Sequence, residues 1–344
     1  MDVRLSPEQQ ALRDSTAQIV DRLGPKAVGQ LDDGERADKL EAAVASTGWR
    51  ELRADDSGAP LAGGTEVALV AEELARGLAD AAFLGPTLAA ELRRLAGLDA
   101  ADELETVVLG ANLADVAHLS PDTASLAGFA VDAAGAAAAL ALIDGPDGSR
   151  VARVDLASIE PVGDPVDLTR TVVRVDGPVE VLDSGLDAML DQDSLTRWTA
   201  LGLAVASADL VGIMQGAVDL ATSYACERRQ YGAPIGSFQA VQHLLADALV
   251  ATEGSRSSTL HAAWAVDALE PADALAAAAA AKAYSARAAR KVCETAIQVH
   301  GGIGNTWECL AHVYLRRSLL SSEVLGGVSA NLDRVLAHHG IGGN

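Results

Sequence analysis

The chain has 344 residues, with 48 acidic against 26 basic side chains and a formal net charge of -22. That length accommodates two or three units with well-buried cores. That charge argues against nucleic acid and anionic membrane surfaces as partners. The composition is rich in Ala and Leu and only 3% aromatic, which favours helix. Cys226, Cys293 and Cys309 show neither metal-ligand nor disulfide-framework spacing, so a reducing cytoplasm is the default location. Met1-Asp2-Val3-Arg4 is not a basic-then-apolar signal. No uninterrupted apolar run reaches the ~20 residues of a membrane span.

Residues 1–104 read as helical. Ser6 is an N-cap before Glu8-Gln9-Gln10, and Leu12, Ile19, Val20 and Leu23 follow at helical spacing. A second helix is predicted over 65–77, with Val67, Leu69, Val70, Leu74 and Ala75 on its apolar side, and a third over 86–95. Residues 105–186 change character. Short β-branched runs at 106–109, 150–154 and 171–175 are separated by turn signals such as Asp144-Gly145-Pro146-Asp147-Gly148 and Asp176-Gly177-Pro178, which predicts a small antiparallel β unit.

From residue 187 to 344 the pattern is helical again. A helix over 195–227 is apolar around most of its circumference, so it is central to a bundle or to an oligomer. The next helix starts after Ser237 as N-cap, with Phe238, Val241, Leu244, Leu245, Ala248 and Leu249 at helical spacing. Another covers 271–299, opening on Pro271, a suitable first-turn residue. A last helical segment covers 307–338. Trp198 and Trp264 fall at packing positions. His300 and His312 have no acidic or thiol companion at metal-ligand spacing, so no metal site is expected.

Two stretches of the C-terminal region carry chemistry. The first is Arg228-Arg229-Gln230-Tyr231-Gly232-Ala233-Pro234-Ile235, running on through Gln239 to Gln242. The second is Gln298-Val299-His300-Gly301-Gly302-Ile303-Gly304. Arg228 closes a long helix, where a planar guanidinium can hold a pyrophosphate bidentately. Gln239 lies in the first turn of the next helix, where free N–H groups and the positive dipole end favour an anion. Gly301 and Gly302 end a further helix and allow close approach to the backbone. Gln298, one turn earlier, can bond a nucleotide. Singly, an Arg pair at a helix end is an ordinary solvated charge and Gly-Gly an ordinary C-cap; in register they say more.

Both stretches, in this order and at this separation, resemble the flavin-binding half of the acyl-CoA dehydrogenase family. Leu5-Ser6-Pro7-Glu8-Gln9-Gln10 resembles that family's opening helix, Gly48-Trp49 and Glu72-Glu73-Leu74-Ala75-Arg76-Gly77 its next elements, and Asp167-Leu168-Thr169-Arg170 the end of its β domain. The resemblance implies a mainly α fold with a small β domain: a helical N-terminal domain (1–104), a shortened β-rich middle domain (105–186) and a C-terminal four-helix bundle (187–344) carrying the FAD motifs and an oligomer interface. It implies that Arg228, Tyr231, Gln239, Gln298, Gly301 and Gly302 contact FAD, with the flavin ring held by an adjacent subunit.

The chain departs from that family where the reaction is carried out. Abstracting the α-proton of an acyl-CoA needs a carboxylate within reach of the α-carbon. The family places this glutamate in one of two positions, which correspond here to Leu325 and Gly202. Glu323, two residues from Leu325 on a helix, would point to the other side. The family's Thr-Glu-Pro…Gly-Ser and Trp-(Ile/Val)-Thr segments, which cover the flavin ring, are absent, and residues 111–139 are Ala-rich with Thr123 alone. No catalytic residue is therefore assigned to this chain. The combination resembles the partner subunit of heteromeric (α2β2) family members that shorten sterol side chains in actinobacteria. The implied partners are a homologous subunit that carries the base, an acyl-CoA bound mainly by that subunit, and an electron-transfer flavoprotein. Two other readings stay open: an active homomeric dehydrogenase with Glu323 as displaced base, and a flavin-free helical scaffold.

Overall fold

The computed structural model describes residues 4–119, 126–145, 148–157, 159–178, 180–182 and 189–341. Pro146, Asp147 and Thr123 lie outside them. The chain opens with α1 (Pro7–Leu23), started by a reciprocal capping box: Gln9 N donates to Ser6 Oγ at 3.2 Å and Ser6 N to Gln9 Oε1 at 2.9 Å. There follow α2 (Gly34–Ala45), the two-residue strands β1 (Asp55–Asp56) and β2 (Ala59–Pro60), α3 (Gly64–Arg76) and α4 (Leu84–Leu95). The predictions over 65–77 and 86–95 correspond to α3 and α4. No sequence signal pointed to α2, because only Leu40 and Val44 of its twelve residues are buried.

Among the described residues, seven strands form one sheet: β3 (Glu105–Leu109), β4 (His118–Leu119), β5 (Leu126–Val131), β6 (Ala138–Gly145), β7 (Gly148–Asp155), β8 (Val173–Gly177) and β9 (Glu180–Val181). Their order is β8-β5-β3-β6-β7-β9, with β4 beside β6. The expected antiparallel unit is corrected here: β3 and β4 both run parallel to β6. The chain runs out along β3, returns along β5, and runs out again along β6 on the other flank of β3, so β6 must share the direction of β3.

The C-terminal part holds α5 (Gln192–Glu227), the hairpin of β10 (Arg229–Gln230) and β11 (Ala233–Pro234), then α6 (Gln239–Ala268), α7 (Pro271–His300), α8 (Ala311–Glu323) and α9 (Val328–His338). The single segment predicted over 307–338 is two helices. Between them Leu325 and Gly326 take left-handed backbone, with φ of 60° and 92°, and the turn is tied down by Asn331 Nδ2 donating to Gly326 O at 2.7 Å.

Helix α5 is the axis of the molecule. It includes a stretch apolar and long enough to cross a membrane, yet 94% of that stretch is buried inside the protein. Helices α3, α6, α7 and α8 cover it. Of the two settings expected for it, bundle or oligomer interface, the intramolecular one applies. The α3–α5 approach needs glycine: a Cβ on Gly212 would lie 2.0 Å from Glu72 O. The exposed large apolar side chains lie elsewhere, among them Phe238 and Val250 on or beside α6 and Tyr284 on α7.

At mid-length α5 carries an acid. Asp209 is 3% exposed and accepts hydrogen bonds from Arg170, from Arg317 Nη2 at 2.7 Å and from Ser321 Oγ at 2.6 Å. Arg170 Nη1 also donates to Ser321 Oγ at 2.8 Å, and Arg317 Nη1 to Thr169 Oγ1 at 2.9 Å. Burial alone would raise the Asp209 carboxyl; the two guanidinium groups outweigh it and hold it below the usual carboxylate range. The network joins α5, α8 and the 167–170 segment leading into the sheet. Asp209→Asn removes the carboxylate shared by two buried guanidinium groups and leaves them only the more distant Asp132 and Asp167, and unfolding in urea should show about 3–5 kcal/mol less stability.

Candidate functional site

The two C-terminal motifs meet at one end of the bundle, where α5 and α7 finish and α6 begins. The Tyr224 ring on α5 stacks on the His300 imidazole at the end of α7, centroids 4.4 Å apart and planes 24° from parallel. His300 Nδ1 bonds Ala296 O at 2.7 Å. Burial pulls its pKa down, but a bond to Cys309 and the Ala296 carbonyl outweigh that and raise it overall. Sequence reasoning weighed His300 only as a metal ligand and missed its role as the rivet between α5 and α7. Its position in the Gly-Gly motif, four residues after the buried Ala296, was the available signal.

Around that rivet the expected contact residues are all exposed: Arg228, Tyr231, Gln239, Gln298, Gly301 and Gly302. Arg228 follows the last turn of α5, its N–H bonded to Tyr224 O at 2.8 Å. Tyr231 and Gly232 form the two-residue tip of the β10–β11 hairpin, with φ of 51° and 81°, the primed turn that suits right-twisted strands. Tyr231 is thereby held 96% exposed. Gly301 has φ 67° and ψ -143°, a backbone only glycine takes readily.

Helix α6 begins one residue later than expected from Ser237. Phe238 is the N-cap, with no side-chain cap, while Ser237 Oγ turns back to Pro234 O at 2.7 Å. Val241 N and Gln242 N bond Phe238 O. The N–H groups of Gln239 and Ala240 have no acceptor among the described residues. An uncapped helix start beside a free guanidinium fits a phosphate-type anion.

The other candidate positions lie deep in the molecule. Gly202 on α5 and Leu325 between α8 and α9 meet: a Cβ added to Gly202 would lie 2.4 Å from Leu325 Cδ1 and 3.4 Å from Leu88 Cδ2. Leu325 is 0% exposed. The place on which both positions converge is filled with methyl groups. Glu323 is the last residue of α8 and is exposed. The expectation that it shares a helix with Leu325 is corrected: the helix ends at Glu323, and the left-handed turn sends Leu325 inward and leaves Glu323 outside. Leu325 N donates to Leu113 O at 2.7 Å and so fixes that turn.

Beneath the turn sits a lysine that the sequence reading passed over. Lys282 on α7 is 0% exposed; its Nζ donates to Ser322 O at 2.7 Å and Gly326 O at 3.2 Å. A neutral amine has just the two hydrogens that these carbonyls accept. Burial is the main cause that pushes its pKa down to about 7, against the pull of Glu323. Its place on the buried face of α7, three and four residues after Ala279 and Ala278, was the signal.

A space of about 260 Å3 opens between α5 and β4, lined by His118, Leu195, Trp198 and Arg334 among others, while beside Phe83, Asp132, Arg170, Asp209 and Arg317 the free space is about 10 Å3. The smaller of the two holds about one water and no planar ring system.

Residues 198–339 match the acyl-CoA dehydrogenase C-terminal domain. The chain is 30% identical to acyl-CoA dehydrogenase IpdE2 of Mycobacterium tuberculosis over 336 residues, covering 92% of this chain and 93% of that protein. It is 28% identical to IpdE2 of Mycolicibacterium smegmatis over 344 residues, covering 97% and 99%. With FadE34 of M. tuberculosis it shares 36% identity over 190 residues, only 26% of that protein. In three dimensions it resembles the M. tuberculosis ChsE4-ChsE5 complex, with a TM-score of 0.80, 23% identity and full coverage of both chains. It also resembles the Tcur3481-Tcur3483 steroid ACAD (G363A variant), with a TM-score of 0.81, 23% identity and coverage of 97% and 98%.

Two measurements check this geometry. Gly202→Ala should cost about 1–3 kcal/mol by overpacking. In a Leu325→Ala background that cost should shrink, so the double variant is more stable than the sum of the singles predicts; strict additivity would mean the two positions do not touch. For Lys282, the unfolded chain keeps its ordinary value near 10.4. Between about 7 and 10 the unfolded state therefore holds a proton that the folded state lacks. The Lys282 contribution to stability should rise with pH across that window by up to about 1.4 kcal/mol per unit, and level off on either side. Urea titrations of the protein and of Lys282→Met at several pH values read the difference. A difference independent of pH would rule the effect out.

Proposed function

The chain belongs to the acyl-CoA dehydrogenase family, and from that premise we propose that it is the half-site subunit of a hetero-oligomeric, FAD-dependent acyl-CoA dehydrogenase. In this reading a homologous partner supplies the base and the flavin-ring pocket, and this chain supplies the nucleotide grip in an α2β2 assembly. The reaction of the complex is α,β-dehydrogenation of a CoA thioester, of the sterol side-chain kind, with an electron-transfer flavoprotein as acceptor. The three units at 1–104, 105–186 and 187–344 belong to the same reading.

One observation carries it. Gly202 and Leu325, the two positions where this family places its carboxylate, touch each other in an apolar interior. A base there would need an ionisable side chain, and neither residue has one. The pyrophosphate end is different in kind, with Arg228, the uncapped start of α6 and the Gly301-Gly302 turn all facing outward. FAD, when bound, takes the hydride from the β-carbon. This chain's part is to hold the nucleotide with Arg228 and the α6 amides, to hydrogen-bond it through Gln298, and to let it approach the backbone at Gly301 and Gly302. The two solved assemblies of similar fold that pair two named chains are consistent with such a division.

The isolated chain should bind FAD poorly, since affinity is summed over both halves of the cofactor. Absorbance of the chain purified alone and with its partner measures this; stoichiometric flavin on the chain alone would overturn the half-site reading. In the complex, Arg228→Ala removes a charge-assisted contact worth roughly 1.5–3 kcal/mol, so the FAD dissociation constant should rise about tenfold to a hundredfold, with activity falling in step. Glu323→Gln should leave turnover nearly unchanged. If it abolishes turnover while flavin stays bound, the base lies in this chain.

A further inference from the structure

At the other end of α5 from Arg228 is a cavity of about 450 Å3, within the size range of small-molecule sites. Thirty-one residues along α5 separate Arg197 from Arg228, roughly 46 Å at the rise of an α-helix, so this cavity is no part of the nucleotide end. It lies between the β1–β2 hairpin, α4, the start of α5 and the end of α6.

Its polar wall is basic. The Glu91 carboxylate is gripped from two sides, by Arg53 Nε and Nη2 at 3.1 and 2.9 Å and by Arg94 Nε and Nη2, both at 2.9 Å. Arg53 Nη1 donates to Asp267 Oδ1 and Ala62 O, both at 3.0 Å. Asp267 Oδ2 takes the Gly64 N–H at 2.6 Å. Two carboxylates thus match two guanidinium groups, and Arg197 is a third. Arg197 has no carboxylate in ion-pair reach among the described residues. Its Nη1 donates to Val266 O and Leu269 O, both at 3.0 Å, at the C-terminal end of α6. Its Nε and Nη2, and Nη1 of Arg94, have no acceptor among the described residues. The remaining wall is apolar, with Pro60, Leu61 and Val266.

A chain of net charge -22 thus holds, in a concave and partly apolar space, one more cation than anion and two guanidinium edges without acceptors. Capping α6 accounts for one edge of Arg197 and not for the other. We propose that this cavity binds a small carboxylic acid, its carboxylate on the free edges of Arg197 and Arg94 and its hydrocarbon part on Pro60 and Leu61. The planar fork of arginine suits a carboxylate. The inference does not depend on the half-site reading.

The test is calorimetric titration of the purified full chain with hexanoate, hexanol and hexylamine. Hexanoate should bind saturably and the other two should not. Arg197→Lys retains a cation for the α6 carbonyls and loses the second edge; hexanoate affinity should fall about tenfold or more, with the thermal melt unchanged. Leu61→Ser is a second variant, since Leu61 is 56% exposed and its loss does not threaten folding; it should weaken hexanoate severalfold. No saturable binding of hexanoate, equal binding of hexanol, or an isotherm that both substitutions leave unchanged would each overturn the proposal.

Discussion

The Asp209 carboxylate is the charge around which the molecule closes. It sits at mid-length on a helix whose neighbouring residues are apolar on every side, and a carboxylate in such surroundings is tolerated only when paired and hydrogen-bonded. Its partners come from far along the chain: Arg170 lies 39 residues before it, and Arg317 and Ser321 lie 108 and 112 residues after it. The acid is satisfied only when α8 and the segment entering β8 have both docked on α5. The same contacts draw the segment entering β8 onto the bundle and leave a void of about 10 Å3 beside Asp209. The electrostatic demand of one side chain thereby sets how closed this part of the molecule is.

Helix α5 has opposite characters at two points along its length. Near Gly202 it is packed against Leu88 and Leu325 without room for a methyl group. At Arg228 it ends among exposed polar groups, beside a helix start with no side-chain cap. The amides that open α6 and the Arg228 guanidinium are exposed, whereas the interior at Gly202 has no room for an added methyl group. The turn at residues 324–327 decides the sealed end. Leu325 in left-handed backbone is strained, and it is held by Leu113 O, Asn331, Arg334 and the buried amine of Lys282.

Much of this was legible in the residues. The bundle helices announced themselves because their apolar positions repeat at helical spacing and their ends carry specific residues, such as Ser6 before α1 and Pro271 at the start of α7. Helix α2 was not legible, since a pair of buried residues makes no period. Nor was the direction of β6: alternation marks a strand but says nothing of which flank of β3 it occupies. The break between α8 and α9 was marked by Gly326-Gly327, but the left-handed turn at Leu325, an ordinary helix former, is imposed by partners up to 212 residues away, such as Leu113.

The sequence by itself determined which residues could carry chemistry and which could not. Gly202 and Leu325 have no ionisable group whatever surrounds them, and Arg228 is a cation in any fold. Local order determined the helices, since their hydrogen bonds and caps close within a few residues. Tertiary structure alone decided that Gly202 and Leu325 meet, that Lys282 lies inside, that Tyr224 and His300 hold two helix ends together, and that Arg197 faces a cavity with none of its carboxylates in ion-pair reach. Each of these depends on the docking of segments far apart in the chain. Burial, which sets what a charge costs and where a pKa lies, is a property of that docking and not of any residue alone.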